Sequence, residues 1–296
     1  MTKLTLKQLR YFEAVAKYGH FGHAAEACAI SQPAISVQIK ELEETLGAIL
    51  FERGGRQIRL TAFGELIAER ARNILQSVDD LSDLTRANQD QLTGRLRIGI
   101  IPTIAPYLLP KIIRELSLSY PDLDLNIRET QTETLINELT AGKLDTAIVA
   151  LPVSEPSLIE TPLFDENFVL VRNQDDATNP VPDPAKLHEM RLLLLEEGHC
   201  FRDQALSFCG MRPNLPREGM DGSSLGTLVQ MVGAGIGVTL IPDMAVTIET
   251  KSADVAISRF SNPQPTRTIG MVWRKTSPIT KQLMQLSHVV KVATQN

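Results

Sequence analysis

Cysteine is scarce in this chain: Cys28, Cys200 and Cys209 are the only thiols in 296 residues. So few exclude the disulfide-stapled scaffold of a small secreted protein. Long apolar runs are missing as well. Even the four-leucine run Leu192 to Leu195 is closed off by Arg191 and Glu196, far short of the ~20 residues that span a bilayer. Met1 to Leu6 hold no signal-peptide core and lead directly into helical periodicity. The expectation is a cytoplasmic protein with no membrane partner, in a compartment where a cysteine pair is transient or catalytic rather than structural. Positive charge is also short, with a net charge of −5. Its distribution is uneven: residues 1–63 carry eight Lys and Arg against six Asp and Glu, the remainder 22 against 29. A mildly basic head on an acidic body fits a small DNA-binding module joined to a larger sensor. The length implies two or more domains, and a hydrophobic fraction of 43% supplies their cores.

Two of the cysteines bracket Gly198-His199-Cys200-Phe201-Arg202-Asp203-Gln204-Ala205-Leu206-Ser207-Phe208-Cys209. Phe201, Ala205, Leu206, Phe208 and Cys209 recur at helical spacing with no Gly or Pro between them. At ~1.5 Å rise per residue the two cysteines lie roughly 13 Å apart. A disulfide tolerates Cα separations of about 4.4–6.8 Å. The sulfurs can therefore join only if the helix comes apart, which is the pattern of a redox switch. A structural zinc site needs four ligands at short spacing, and His199 with two cysteines does not supply them. No metal and no cofactor are expected.

The first 63 residues read as a helical reading head. Leu6, Leu9, Phe12, Val15 and Ala16 mark an amphipathic helix over 5–18, and His23 to Ala29 a second, with Cys28 on its packed side. Ser31 is an N-cap and Pro33 lies in the first turn of a third helix, whose stripe is Ile35, Ile39, Leu42 and Leu46. This is a helix-turn-helix. Leu50 to Thr61 then reads as a β-wing whose Gly-Gly tip bears Arg53, Arg56 and Arg59. Residues 64–92 form a long helix in which Ile67, Ala71, Ile74, Val78 and Leu81 make a heptad seam, predicting a dimer-forming linker.

From Leu9 through Gly64 the chain resembles the winged helix of LysR-type regulators, through Ala24-Ala25, Ser31 to Ser36, Leu46-Gly47, Leu50 to Arg53 and Leu60-Thr61. The resemblance implies that Ser31, Gln32, Pro33 and Ser36 bind double-stranded operator DNA, with Gln32, Pro33 and Ser36 at base edges, while Arg53 and Arg56 meet phosphates or the minor groove. Near relatives often carry two arginines where Gly22 and His23 stand here, which shifts backbone affinity toward the wing.

Beyond Thr93-Gly94, strands and helices alternate, predicting an open α/β sheet. The family implies a two-lobed α/β regulatory domain over 93–296, similar to periplasmic binding proteins, with one lobe at about 93–164 plus 268–296 and the other at 165–267. Ile101-Pro102-Thr103, Leu108-Leu109-Pro110, Pro162 to Glu166, the whole Gly198–Cys209 stretch and Arg267-Thr268-Ile269-Gly270 resemble the hydrogen-peroxide sensors of the LysR family. That resemblance implies a peroxidatic thiol at Cys200, a resolving thiol at Cys209, supporting roles for His199, Asp203 and Arg267, and peroxide-binding hydroxyls at Thr103 and Thr132. It also implies control of antioxidant genes, dimers pairing into tetramers, contact with RNA polymerase and a thiol reductant such as glutaredoxin or thioredoxin. Two alternatives stand beside it. One is a LysR-type regulator binding a small organic anion between the lobes; the other is a thiol peroxidase.

Overall fold

The computed structural model describes residues 4–52, 58–87, 92–183, 186–187, 190–210, 221–261 and 264–295. The chain divides into two compact units, Met1–Thr85 and Arg86–Asn296.

In the first unit, α1 (Leu6–Tyr18), α2 (Phe21–Ala27) and α3 (Gln32–Leu46) close on a core of Leu9, Phe12, Val15, Ile35, Ile39 and Leu42. Each helix begins where a side chain can satisfy an orphan N–H. Thr5 and Gln8 form a reciprocal capping box on α1, and the Ser31 hydroxyl accepts from the Ala34 N–H at 3.4 Å. The second helix starts two residues before the expected His23, because His20 Nδ1 accepts from the Gly22 N–H at 3.0 Å and caps it. Cys28, expected inside the core, lies at the end of α2 and is half-buried.

The wing strands β1 (Phe51–Glu52) and β2 (Arg59–Leu60) pair antiparallel. Buried Glu43 of α3 fixes their entry by accepting the Leu50 N–H at 2.8 Å. The wing tip, with Arg53 and Arg56, lies outside the described residues. Helix α4 spans Ala62–Ala87. At Gly64 a Cβ would stand 2.2 Å from the Leu50 carbonyl oxygen, so only glycine lets helix and wing approach. The expected seam is divided. Ala71, with Ala68 and Leu75, is buried in the head core, whereas Ile74 and Leu81 remain exposed alongside Phe63 and Leu66. The α4 stripe serves its own domain on one face and leaves a second apolar face outward.

The second unit is built on a nine-stranded sheet. Strands β3 (Gly94–Ile100), β4 (Leu123–Glu129) and β5 (Thr146–Leu151) run parallel, with α5 (Ala105–Ser119) and α6 (Thr132–Thr140) as crossovers. Strand β6 (Leu158–Asn173) is much longer than the predicted Phe168–Val171. Its first half pairs with β11 (Thr266–Arg274) and its second half with β9 (Val238–Pro242) and β10 (Val255–Ser258). Strands β7 (Leu192–Leu195) and β8 (Asp221–Gly222) complete the sheet beyond β9. Two cores result. One gathers β3–β5, α5, α6 and α10 (Thr280–Gln295) around fully buried Trp273. The other gathers β7, β9, α7 (Cys200–Phe208) and α8 (Leu225–Gly233), with the short helix α9 (Val246–Glu249) at its margin. Strands β6 and β11 pass between the two lobes. Among the described residues no helix is long and apolar enough to cross a membrane.

Candidate functional site

Three chain segments converge where the sheet changes lobes. Arg267 on β11 lies directly opposite Glu166 on β6 in the strand register. Its Nε donates to Glu166 Oε2 at 2.8 Å, its Nη1 to the Thr103 hydroxyl at 2.9 Å and its Nη2 to the Thr103 carbonyl at 3.1 Å. The guanidinium also stands over the Phe201 ring, 5.2 Å from its centroid. Arg267 is thus a buried cation fixed from three directions, one of them the residue after Cys200.

Cys200 is the first residue of α7, rather than the residue before it. It follows Gly198, whose φ is +91°, a backbone region that L side chains rarely adopt; a Cβ there would also press on the Gln131 amide. The N-terminal N–H groups of a helix favour negative charge on the first residues. Cys200 packs against the first lobe's core, while Cys209, at the other end of α7, is buried within the second lobe's core with Phe201, Ala205 and Leu206. Neither cysteine is in a disulfide in this structure.

A cleft of about 810 Å³ opens beside Cys200 and is lined by Thr132, Asp203, Gln204 and Arg267 among others. The Thr132 hydroxyl and the Gln204 amide oxygen are buried with no hydrogen-bond partner among the described residues. Buried polar atoms without partners are rare, and beside an open cleft they are free to bond a small polar molecule or a water. Asp203 is exposed at the cleft mouth. Four of the predicted residues therefore meet here: Cys200, Asp203, Thr132 and Arg267.

His199 and Thr103 line a different space, a second cleft of about 510 Å³ between the lobes. Thr103 still reaches the first cleft through Arg267. Burial lowers the His199 pKa, partly opposed by Glu196, so the imidazole is neutral at neutral pH. The second cleft is acidic, lined by Glu129, Glu196 and Glu249. Glu249 Oε1 accepts from the Tyr107 hydroxyl at 2.6 Å, and burial, followed by that bond, raises the Tyr107 pKa.

Sequence reasoning missed Glu166 and Gln204 as site residues. Gln204 is one helical turn after Cys200 and so shares its face. Glu166 becomes visible only once the β6–β11 register is known. Its carboxyl is pushed up by burial against the pull of Arg267. Glu166→Gln leaves a buried guanidinium without its counter-charge, which costs about 3–5 kcal/mol. The denaturant midpoint of the second unit should fall accordingly, with an unchanged m-value. Among the described residues no group of three or more His, Cys, Asp or Glu could hold a metal ion.

Comparison with known proteins agrees with this architecture. Residues 6–65 match the description "Bacterial regulatory helix-turn-helix protein, lysR family" and residues 89–292 match "LysR substrate binding domain". A probable hydrogen peroxide-inducible genes activator of Streptomyces viridosporus is 42% identical, covering 98% of this chain and 94% of that protein. The DNA-binding transcriptional dual regulator OxyR of Escherichia coli K12 is 39% identical over 97% of this chain and 95% of its own. Among solved structures, a full-length OxyR variant from Pseudomonas aeruginosa superposes with a TM-score of 0.78 at 37% identity, covering 99% of this chain and 96% of that one. A hydrogen-peroxide-bound variant of Corynebacterium glutamicum OxyR gives 0.68 at 36% identity, over 98% and 92% of the two chains. The chain belongs to the LysR family of bacterial regulators and, within it, to the OxyR branch.

Proposed function

We propose that this chain is a DNA-binding transcriptional regulator that senses hydrogen peroxide at Cys200. The observation that carries the reading is the cleft itself: a helix-terminal thiol beside a fixed arginine, lined also by a buried hydroxyl and a buried amide oxygen without partners among the described residues. Hydrogen peroxide offers two donors and two acceptors in a neutral molecule small enough for that space. The Cys200 thiolate attacks one oxygen, the O–O bond breaks, and the distal oxygen leaves as hydroxide that takes up a proton to become water. Arg267 stabilises the charge developing on that oxygen. The product is Cys200 sulfenic acid. Attack by the Cys209 thiol then forms the Cys200–Cys209 disulfide and releases a second water.

The metabolite alternative fits less well. The second cleft, where an organic anion would sit, presents three glutamates. The thiol-peroxidase alternative leaves the DNA-binding head without a purpose, so we read the thiol chemistry as signalling rather than turnover. A regulator of this kind works in the cytoplasm as a dimer or tetramer on an antioxidant-gene operator, meets RNA polymerase there, and is reset by a glutaredoxin- or thioredoxin-like reductant. The exposed face of Phe63, Leu66, Ile74 and Leu81 on α4 supports the dimer. The discriminating experiment is DNA footprinting of the purified chain with peroxide and no metabolite. A shifted footprint supports the sensor, and an unchanged one removes it.

The head reads DNA with the start of α3, where Ser31, Gln32 and Pro33 are exposed and Ser36 is half-buried. Gln32→Ala or Ser36→Ala should cost roughly 1–3 kcal/mol of discrimination per lost base contact. Competition binding with operator variants reads this directly. Arg53 and Arg56, proposed phosphate contacts, should instead weaken all sequences alike and flatten the salt dependence when replaced.

A further inference from the structure

We propose that Arg202 and Asp221 are positioning residues of the thiol pair: together they clamp α7 in its dithiol form and so set how readily the Cys200–Cys209 bond forms and is undone. The inference rests on the peroxide reading of that pair. Arg202 is the third residue of α7. A cation there opposes the positive end of the helix, so α7 itself gains nothing from it. The side chain instead leaves the helix for the neighbouring strands. Its Nη1 donates to the Leu195 carbonyl at 2.7 Å and to Asp221 Oδ1 at 2.9 Å. Leu195 ends β7 and Asp221 opens β8. The two strands run parallel, with Leu194 opposite Asp221 and Leu195 opposite Gly222. The sheet thus fixes both acceptors.

The clamp crosses the boundary between what must move and what can stay. Joining the sulfurs closes a ring over residues 200–209, and Arg202 lies inside it. Its acceptors lie outside, on β7 and β8. The cysteines stand roughly 13 Å apart along α7, and a disulfide needs Cα atoms within about 6.8 Å. The first turn of α7 must therefore leave the place where Arg202 meets Asp221. A contact made in one state alone shifts the equilibrium toward that state by its own free energy.

Burial sets the size of the effect. The Arg202 side chain is 11% exposed and that of Asp221 42%. An ion pair so placed lies between the fully exposed and the buried case, which corresponds to about three- to tenfold in the equilibrium constant. Neither residue lines the cleft beside Cys200, so attack on peroxide proceeds without them. The clamp acts after that attack, when the Cys200 sulfenic acid waits for α7 to open before Cys209 can reach it. A weaker clamp gives a regulator that holds its disulfide longer against the same reductant.

The test is a redox titration of the full chain, parent against Asp221→Asn, in graded mixtures of reduced glutathione and glutathione disulfide. As the two cysteine thiols join they lose two electrons and two protons, and one glutathione disulfide becomes two glutathiones. Alkylation of the remaining thiols and mass spectrometry measure the disulfide at each ratio. Asp221→Asn keeps the shape and removes the charge. It should form the bond about three- to tenfold more favourably, a midpoint about 15–30 mV more negative. Asp221→Glu restores the charge and should stay within about twofold of the parent. Arg202→Gln should shift the midpoint at least as far as Asp221→Asn, and combining the two should shift it no further. The rate of Cys200 sulfenic acid formation, read in a Cys209→Ser background, should be the same with Asp221 or Asn at that position. A merely structural contact would lower the thermal midpoint of both redox forms alike and leave the potential in place. An Asp221→Asn potential equal to the parent's, or one matched by Asp221→Glu, would overturn the clamp and leave the sensor standing. So would a full additive shift in the double variant. A parent that forms no Cys200–Cys209 disulfide at any ratio would remove the peroxide reading and the clamp together.

Discussion

The Cys200→Ser protein is expected to give one DNA footprint, identical with and without hydrogen peroxide. The substitution exchanges sulfur for oxygen at nearly constant shape, so α7 and the packing of Cys200 on the first lobe's core should persist. What disappears is the nucleophile. A serine hydroxyl is a far weaker nucleophile than a thiolate, and His199 lines the other cleft rather than this one. Reduced-state DNA binding should match the parent within error, since the reading head is a compact unit with its own core. The measurement is footprinting across a peroxide series, with mass spectrometry of the thiols at each point. The parent should gain a disulfide mass change of two hydrogens lost, and the variant should show none. A footprint that still shifts would place the sensor elsewhere. Of the two thiols left, Cys209 is buried in the second lobe's core, which makes Cys28 the suspect. Burial raises its pKa, so less of it is thiolate at neutral pH and it should react slowly.

The sequence reached the architecture because its signals were local. Ser31, Pro33 and Gly47 punctuate α3 without reference to anything distant, and the Gly198–Cys209 stretch carries its helix and both thiols within twelve residues. What stayed hidden depends on pairing. Strand β6 was read only at its apolar end, Phe168 to Val171, because Glu160, Asp165 and Glu166 break the hydrophobic pattern. Those polar residues sit in a strand because β11 supplies their backbone partners. The role of Glu166 follows from that same register. His199 illustrates the opposite limit. Adjacency to Cys200 suggested a shared site, yet neighbouring residues at a helix start diverge in direction, and the two line different clefts. The α10 helix was not anticipated either, although Ile279, Leu283, Leu286 and Val290 are buried at helical spacing.

Cys209→Ser is expected to uncouple oxidation from rearrangement. Helix α7 is intact and continuous from Cys200 to Phe208, so the helical rise holds the two sulfur-bearing residues roughly 13 Å apart. No side-chain rotation closes that distance to the ~2.05 Å of a disulfide bond. The helix must unwind, and its anchors set the cost. Phe201 and Leu206 are almost fully buried, and Phe208 packs edge-on against Phe260 at 5.1 Å. Exposing a large, fully buried apolar side chain costs about 1.5–3 kcal/mol, so releasing Phe201 and Leu206 costs about 3–6 kcal/mol, and half-buried Phe208 adds to it. Closing a loop of this length by a disulfide contributes about 3 kcal/mol at most. The disulfide therefore cannot hold the rearranged segment by loop entropy alone. The free energy of peroxide reduction must drive it, and removal of the bond must let α7 re-form. Hydrogen exchange over residues 200–209 reads this. In the parent, peroxide should strip protection from α7 and reductant should restore it. In Cys209→Ser, peroxide should convert Cys200 to sulfenic acid and then to higher oxides, with α7 protection largely retained and the DNA footprint close to that of the reduced parent. If the parent formed its disulfide while α7 kept full protection, the unwinding argument would fail, because the sulfurs would have met without the helix giving way.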